Sequence, residues 1–167
     1  DISARMIELA RSLDEGSGKL QLKVGSVYDL PFPDASFDTI IGMGLLEYLD
    51  DPWRGLAEMA RVARPGAPIV VSFPNAASVM RRAAKTIYKG LRRPPSTKRH
   101  FTAEEVYAAG ERLGLERVAT RGYNAQVLPF YWRIKPVATV AAEALDALLN
   151  RVGSLWGTSF IVEFRKR

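Results

Sequence analysis

The sequence predicts an α/β fold, a sheet with crossover helices, and three observations predict it. Helix-like and strand-like stretches alternate along the chain, as they do when strands are joined by crossover helices. Two short apolar runs, Phe37 to Met43 and Ile69 to Phe73, lack polar alternation, as strands buried on both faces do. Between them Asp51-Pro52 opens a helix, with Asp51 as N-cap and Pro52 at the first helical position. With 167 residues, 47% hydrophobic and 25% charged, the chain has the size and balance of a single globular domain, expected over 1–167.

The elements follow in order. Ser3 to Ser12 reads as a helix with Met6, Ile7, Leu9 and Ala10 on its apolar side. Leu20 to Val24 alternates apolar and polar residues and reads as a strand. Leu30-Pro31-Phe32-Pro33-Asp34 is a loop, because two prolines break both periodic patterns. After Pro52, Trp53, Leu56, Ala57, Ala60 and Ala63 recur at helical spacing, and Pro65-Gly66 stops that helix. Val79, Met80, Ala83, Ala84, Ile87, Tyr88 and Leu91 form one helical stripe that ends at Pro94-Pro95. Thr102 and Glu105 make a capping box for a helix running to Leu113 and closed by Gly114. Glu116 to Tyr123 reads as a strand, Pro136 to Val152 as a helix, and Thr158 to Phe164 as a last strand.

Composition excludes several classes of function. The absence of cysteine rules out disulfides and thiolate metal sites. No cluster of His, Asp and Glu suggests a metal centre, and a single histidine makes a hydrolytic triad implausible. No run of about 18 apolar residues is present, so no membrane-spanning helix is expected. No signal peptide is visible, and a cytoplasmic location is the expectation. The chain opens on Asp1 rather than Met. The net charge of +6 is local: eight of the 24 basic residues fall between Arg81 and Arg99 with no acid among them.

Four segments in order resemble the small-molecule class I S-adenosylmethionine-dependent methyltransferases. They are Gly25-Ser26-Val27-Tyr28-Asp29-Leu30-Pro31-Phe32, Ser36-Phe37-Asp38, Leu45-Leu46-Glu47-Tyr48-Leu49 and Arg61-Val62-Ala63-Arg64-Pro65-Gly66. Asp1 to Met6, His100-Phe101-Thr102 and Leu113-Gly114-Leu115 also match. The resemblance covers about the first 125 residues and the final strand, and is poor from Val127 to Val152. It implies a Rossmann-like sheet with helices on both faces, S-adenosylmethionine as cofactor, and methyl transfer to a small organic acceptor. Such a sheet binds its nucleotide at the carboxyl ends of its strands.

Carried over residue by residue, the resemblance gives Asp1 the ribose hydroxyls. Ser26 takes the adenine edge through its side chain and Val27 through its backbone, and Met43 lines the methionine portion of the cofactor. The family often has an acid or amide where this chain has Ser26. The family's glycine-rich loop and its first two strands would precede Asp1 and are not in the sequence. Strands left beside such a gap would carry unpaired backbone groups at roughly 1–3 kcal/mol each, against a total stability of about 5–15 kcal/mol. The 167 residues are therefore expected to come from a longer protein.

His100, the only histidine, is the candidate catalytic base, weighed against a local packing or hydrogen-bonding role. Glu47 and Tyr48 either face the substrate or serve as a solvated helix residue and a core aromatic. Asp29 reads as a turn carboxylate. The basic helix carrying Arg81, Arg82, Lys85 and Lys89 is either a solvated face or a docking surface for an acidic carrier, an anionic membrane or a phosphate-bearing substrate. Nucleic acid is disfavoured, since no nucleic-acid motif accompanies the charge. Residues 126–156, with Phe130, Tyr131, Trp132 and Trp156, form either a lid over an apolar substrate or a cover for the sheet edge. Two rival functions stand beside the enzyme: a non-catalytic partner domain with the same fold, and a dinucleotide-dependent oxidoreductase.

Overall fold

A computed structural model describes residues 1–14, 19–79, 99–123 and 157–167. The expected helices over 79–91 and 136–152, and the lid over 126–156, lie outside or almost wholly outside these residues.

Helix α1 spans Ala4–Leu13, with the Ser3 side chain accepting from the Met6 amide as N-cap. Of its expected apolar side only Ile7 is buried, while Met6 and Leu9 are each 51% exposed. Strand β1 spans Ile40–Gly42, and Leu46–Tyr48 forms a 3-10 turn. Helix α2, Pro52–Val62, starts as the sequence requires: Asp51 accepts from the amides of Trp53 and Arg54, with Pro52 behind it. Strand β2 spans Pro68–Pro74. Helix α3, Ala103–Arg112, carries the complete capping box between Thr102 and Glu105. Strands β3 and β4 span Leu115–Tyr123 and Ser159–Lys166.

The four strands form one sheet in the order β1-β2-β4-β3. β1 is parallel to β2, which α2 joins to it, and β4 runs antiparallel to both β2 and β3. The β2/β4 register sets Ile69 opposite Phe164, Val71 opposite Val162 and Phe73 opposite Phe160. All six are buried, so one face of the sheet is the core. α2 and α3 pack on that same face through Leu56, Met59 and Val106. Above β2 an aromatic group closes the core: Phe73 lies 5.1 Å from Phe101 and 5.8 Å from Phe160, and Trp53 lies 5.4 Å from Phe101. Burying each of the three phenylalanine rings stabilises the fold by roughly 1.5–3 kcal/mol. Lys166, at the end of β4, donates to the carbonyls of Ala63 and Arg61 and so satisfies the last turn of α2.

Two strand expectations are corrected. Leu20 to Val24 forms no strand among the described residues: the Leu22 carbonyl accepts from the Arg11 side chain, and the backbone pairing here is confined to Asp1, whose nitrogen donates to the Lys23 carbonyl and whose carbonyl accepts from the Gly25 amide. A period-two pattern supplies a face, and a strand also needs a partner that the described residues provide only at Asp1. The Phe37 to Met43 run yields only three strand residues. Phe37 instead pairs with Ala63 at the exit of α2. Ile41 is 68% exposed, so the strand is not covered on both faces among the described residues.

Candidate cofactor site

The loop after Gly25 is built by local turns and then fixed to α2. The Asp29 amide donates to the Ser26 carbonyl at 3.1 Å, and the Tyr28 amide to the Ser26 Oγ at 3.2 Å. Asp29 thus closes a turn with its backbone, while the residue itself is exposed. The Tyr28 hydroxyl accepts from the Asp51 amide at 3.0 Å, and the Arg54 guanidinium lies 5.0 Å from the Tyr28 ring.

Further along, Arg61 clamps the proline loop. Its Nη1 donates to the Phe32 carbonyl at 2.9 Å and to Asp34 at 2.6 Å. Its Nε and Nη2 grip Glu58 through both carboxylate oxygens, and Nη2 also reaches the Leu30 carbonyl. Glu58 accepts in turn from the Leu30 amide at 2.9 Å. The hydrogen bond from Arg61 holds the Glu58 carboxyl down to about 2, well below its ordinary 4.5, and the Leu30 amide adds to it.

This scaffold gathers residues far apart in sequence. The Gly25 amide donates to the Asp1 carbonyl at 3.0 Å, so Asp1 lies beside the Ser26–Val27 turn. Asp1 is exposed, and one of its carboxylate oxygens accepts from the Ser3 amide at 2.8 Å. A carboxylate has about four acceptor positions, so capacity remains for two hydroxyls. Val27 turns its side chain against Gly55 and the core. Among the described residues its amide makes no hydrogen bond, which leaves a donor for an adenine edge. The Ser26 oxygen already accepts from Tyr28, so its remaining capacity is its own O–H and one lone pair. A cavity of about 250 Å3 opens between Asp1, Ile7, Leu22, Gly25 and Phe32, and Ser26, Val27 and Met43 are not part of its lining. The exposed carboxylate and the unused amide suit the hydroxyls and the base edge of a nucleoside.

Met43 follows β1 and is 46% exposed at the strand tip. Gly44 behind it has φ +62°, and its amide donates to the buried Ser72 hydroxyl on β2 at 2.8 Å. His100 reaches the same end of the sheet. Arg99 donates to the Glu47 carbonyl at 3.1 Å, and Phe101 donates to the Pro74 carbonyl at 3.0 Å. Half-buried His100 is held between these two anchors, one near the tip of β1 and the other at the tip of β2. Glu47 and Tyr48 reverse the expected environments: Glu47 is 5% exposed and Tyr48 57%.

Sequence reasoning missed the Tyr28 and Arg61 anchors, because both depend on contacts across more than 20 residues. It also missed Ser72, although a lone polar residue inside the apolar run Ile69 to Phe73 was a usable signal. Arg81, Arg82, Lys85 and Lys89 lie outside the described residues.

The chain is similar to several known proteins. Residues 1–71 match the methyltransferase domain family. Ajmaline N-methyltransferase of Rauvolfia serpentina is 34% identical over 74 residues, 42% of this chain and 25% of the relative. A rice (Oryza sativa subsp. japonica) protein named "Probable tocopherol O-methyltransferase, chloroplastic" is 26% identical over 156 residues, 85% of this chain and 40% of the relative. The chain thus spans a quarter to two fifths of the length of these relatives. Magnesium protoporphyrin IX methyltransferase from Synechocystis, solved with bound SAH, superposes with a TM-score of 0.66 at 14% identity, covering 100% of this chain and 62% of that one. Residues 1–71 thus match the methyltransferase domain family, and the chain shares the Rossmann-like fold of solved S-adenosylmethionine-dependent methyltransferases.

Proposed function

We propose that this chain serves S-adenosylmethionine-dependent methyl transfer to a small organic acceptor, at oxygen in the first instance, with carbon and nitrogen as the alternatives. The observation that carries the reading is the Gly25–Asp1 hydrogen bond, which sets an exposed carboxylate beside the Ser26–Val27 turn. In this reading Asp1 accepts the ribose hydroxyls, Val27 donates its amide to the adenine, Ser26 meets the adenine edge, and Met43 lines the aminoacyl portion. Bound cofactor supplies a methyl group already activated for in-line displacement. The protein supplies alignment and, for a hydroxyl acceptor, a base. His100, held at the same strand tips, takes that proton. His100→Gln then lowers kcat by about 10²–10⁴ for a hydroxyl acceptor with the melting temperature preserved, and unchanged turnover removes His100 from the role.

The reading extends to partners. The basic stretch from Arg81 to Arg99 suits an anionic surface or an acidic carrier that presents the acceptor, with Arg81, Arg82, Lys85 and Lys89 as its contacts. No helix among the described residues is long and apolar enough to cross a membrane, and a cytoplasmic site of action fits the proposal.

Calorimetric titration of the full-length protein with S-adenosylmethionine and with nicotinamide nucleotides tests the reading. Binding of the first alone is expected. Binding of neither favours a non-catalytic partner domain, and binding of the nicotinamide nucleotide alone favours an oxidoreductase. Asp1→Asn weakens S-adenosylmethionine by at least about tenfold if the ribose contact is correct, one charge-assisted hydrogen bond being worth about 1.5–3 kcal/mol.

A further inference from the structure

We propose that Ser72 is a positioning residue for the aminoacyl portion of the cofactor, acting through the Met43–Gly44 turn. The inference rests on the reading above, in which Met43 lines that portion of the ligand.

Ser72 is the polar exception in β2. It is 2% exposed, with Val71 and Phe73 on either side fully buried. The β1/β2 ladder ends where Gly42 pairs with Val71. One residue further on, the chain leaves the sheet, and backbone pairing gives way to a side-chain contact, the Gly44 amide donating to the Ser72 Oγ at 2.8 Å. Both ends of the turn are constrained. At Gly42 a Cβ would come within 2.7 Å of the Met59 side chain, so β1 lies tightly against α2 there. Gly44 takes the left-handed conformation at φ +62°, which L side chains rarely adopt. Met43 sits between these two glycines, and its exposed side chain is aimed by them. The hydroxyl of Ser72 therefore sets where the turn begins to rise from the strand.

The energetic role is local. Gly44 itself is exposed, so water can take over its amide when the serine oxygen is removed. The loss then falls on the geometry of the turn rather than on the core. This separates a positioning role from a packing role. A packing defect at buried Ser72 would unsettle β2, and with it every ligand contact.

The experiment uses the full-length protein and three forms of it: unaltered, Ser72→Ala and Ser72→Thr. Each is titrated with S-adenosylmethionine and with 5′-methylthioadenosine, which keeps the nucleoside and thioether but lacks the aminoacyl chain. Thermal unfolding is recorded alongside. Ser72→Ala is expected to weaken S-adenosylmethionine about tenfold, or about 1.4 kcal/mol, and to leave methylthioadenosine within about twofold. Ser72→Thr keeps the accepting oxygen and holds S-adenosylmethionine affinity within about threefold, or about 0.6 kcal/mol. Equal weakening of both ligands by alanine, or of S-adenosylmethionine by threonine as much as by alanine, overturns the inference. So does full affinity in Ser72→Ala. If the unaltered protein binds no S-adenosylmethionine, the parent reading fails and carries this one with it.

Discussion

Arg61 makes five side-chain hydrogen bonds, to Glu58, Asp34 and the carbonyls of Leu30 and Phe32. A planar guanidinium can serve both edges of Glu58 and the loop together, and an ammonium cannot, so Arg61→Lys should lower the melting temperature despite conserving charge. The Glu58 partner gives the contact a pH signature. Its folded value of about 2 lies below the ordinary 4.5. The unfolded chain therefore takes up a proton first as the medium is acidified. The stabilisation is complete above about pH 4.5 and is lost as pH falls toward 2. Stability measured by denaturant melts between pH 6 and pH 2 should fall more steeply in the unaltered protein than in Glu58→Gln. Parallel curves would show that the carboxylate contributes nothing specific. The sequence made Arg61 visible as part of a matching segment, but it did not reveal which loop it holds. That partner lies 27 to 31 residues away.

At the level of elements, capping and turn signals were read closely. Asp51-Pro52 and the Thr102/Glu105 box mark helix starts in the structure as in the sequence, because caps are satisfied by residues within one turn. Close packing between elements was not legible. Gly110 lies inside α3, where a glycine costs helix stability. The structure gives the reason: a Cβ there would stand 2.4 Å from the Phe164 ring on β4. Gly110→Ala should therefore destabilise by about 1–3 kcal/mol through overpacking, although alanine is the better helix former. A chemical-denaturation midpoint that rises instead would show that the ring can move aside. Combining Gly110→Ala with Phe164→Leu should recover part of the loss, since the two sites are in contact.

At the scale of the molecule, the apolar core among the described residues is drawn from residues 46 to 73, 101 to 115 and 160 to 164, and the described residues before Gly44 add Ile7 and Gly42 to the buried set. Ile2, Leu13, Leu20 and Val24 are each more than half exposed. Apolar side chains at helical or strand spacing announce a face, but burial depends on what lies opposite. The charge distribution belongs to this scale too. Outside Arg81 to Arg99 there are 16 basic and 18 acidic residues, so the basic segment alone makes the chain a cation. Reversing Arg81, Arg82 and Lys85 to Glu should weaken binding to anionic vesicles or an acidic carrier and flatten its salt dependence, with turnover of a free small acceptor retained. Unchanged binding and unchanged salt dependence would leave the segment as a solvated face.

The sequence by itself determined the α/β class, the helix starts and the strand at Ile69 to Phe73, because caps, proline breaks and apolar runs act over a few residues, while Asp1, Ser26, Val27 and Met43 were offered as candidates by a resemblance to the methyltransferases and His100 by being the only histidine. Tertiary structure decided that Asp1 abuts Gly25, that the Glu47 carbonyl accepts from Arg99 while its side chain is buried, and that Ser72 holds the Gly44 turn. Each of these is a contact between segments distant along the chain. A local pattern can offer a face or a hydrogen-bonding group, and only the folded chain selects its partner.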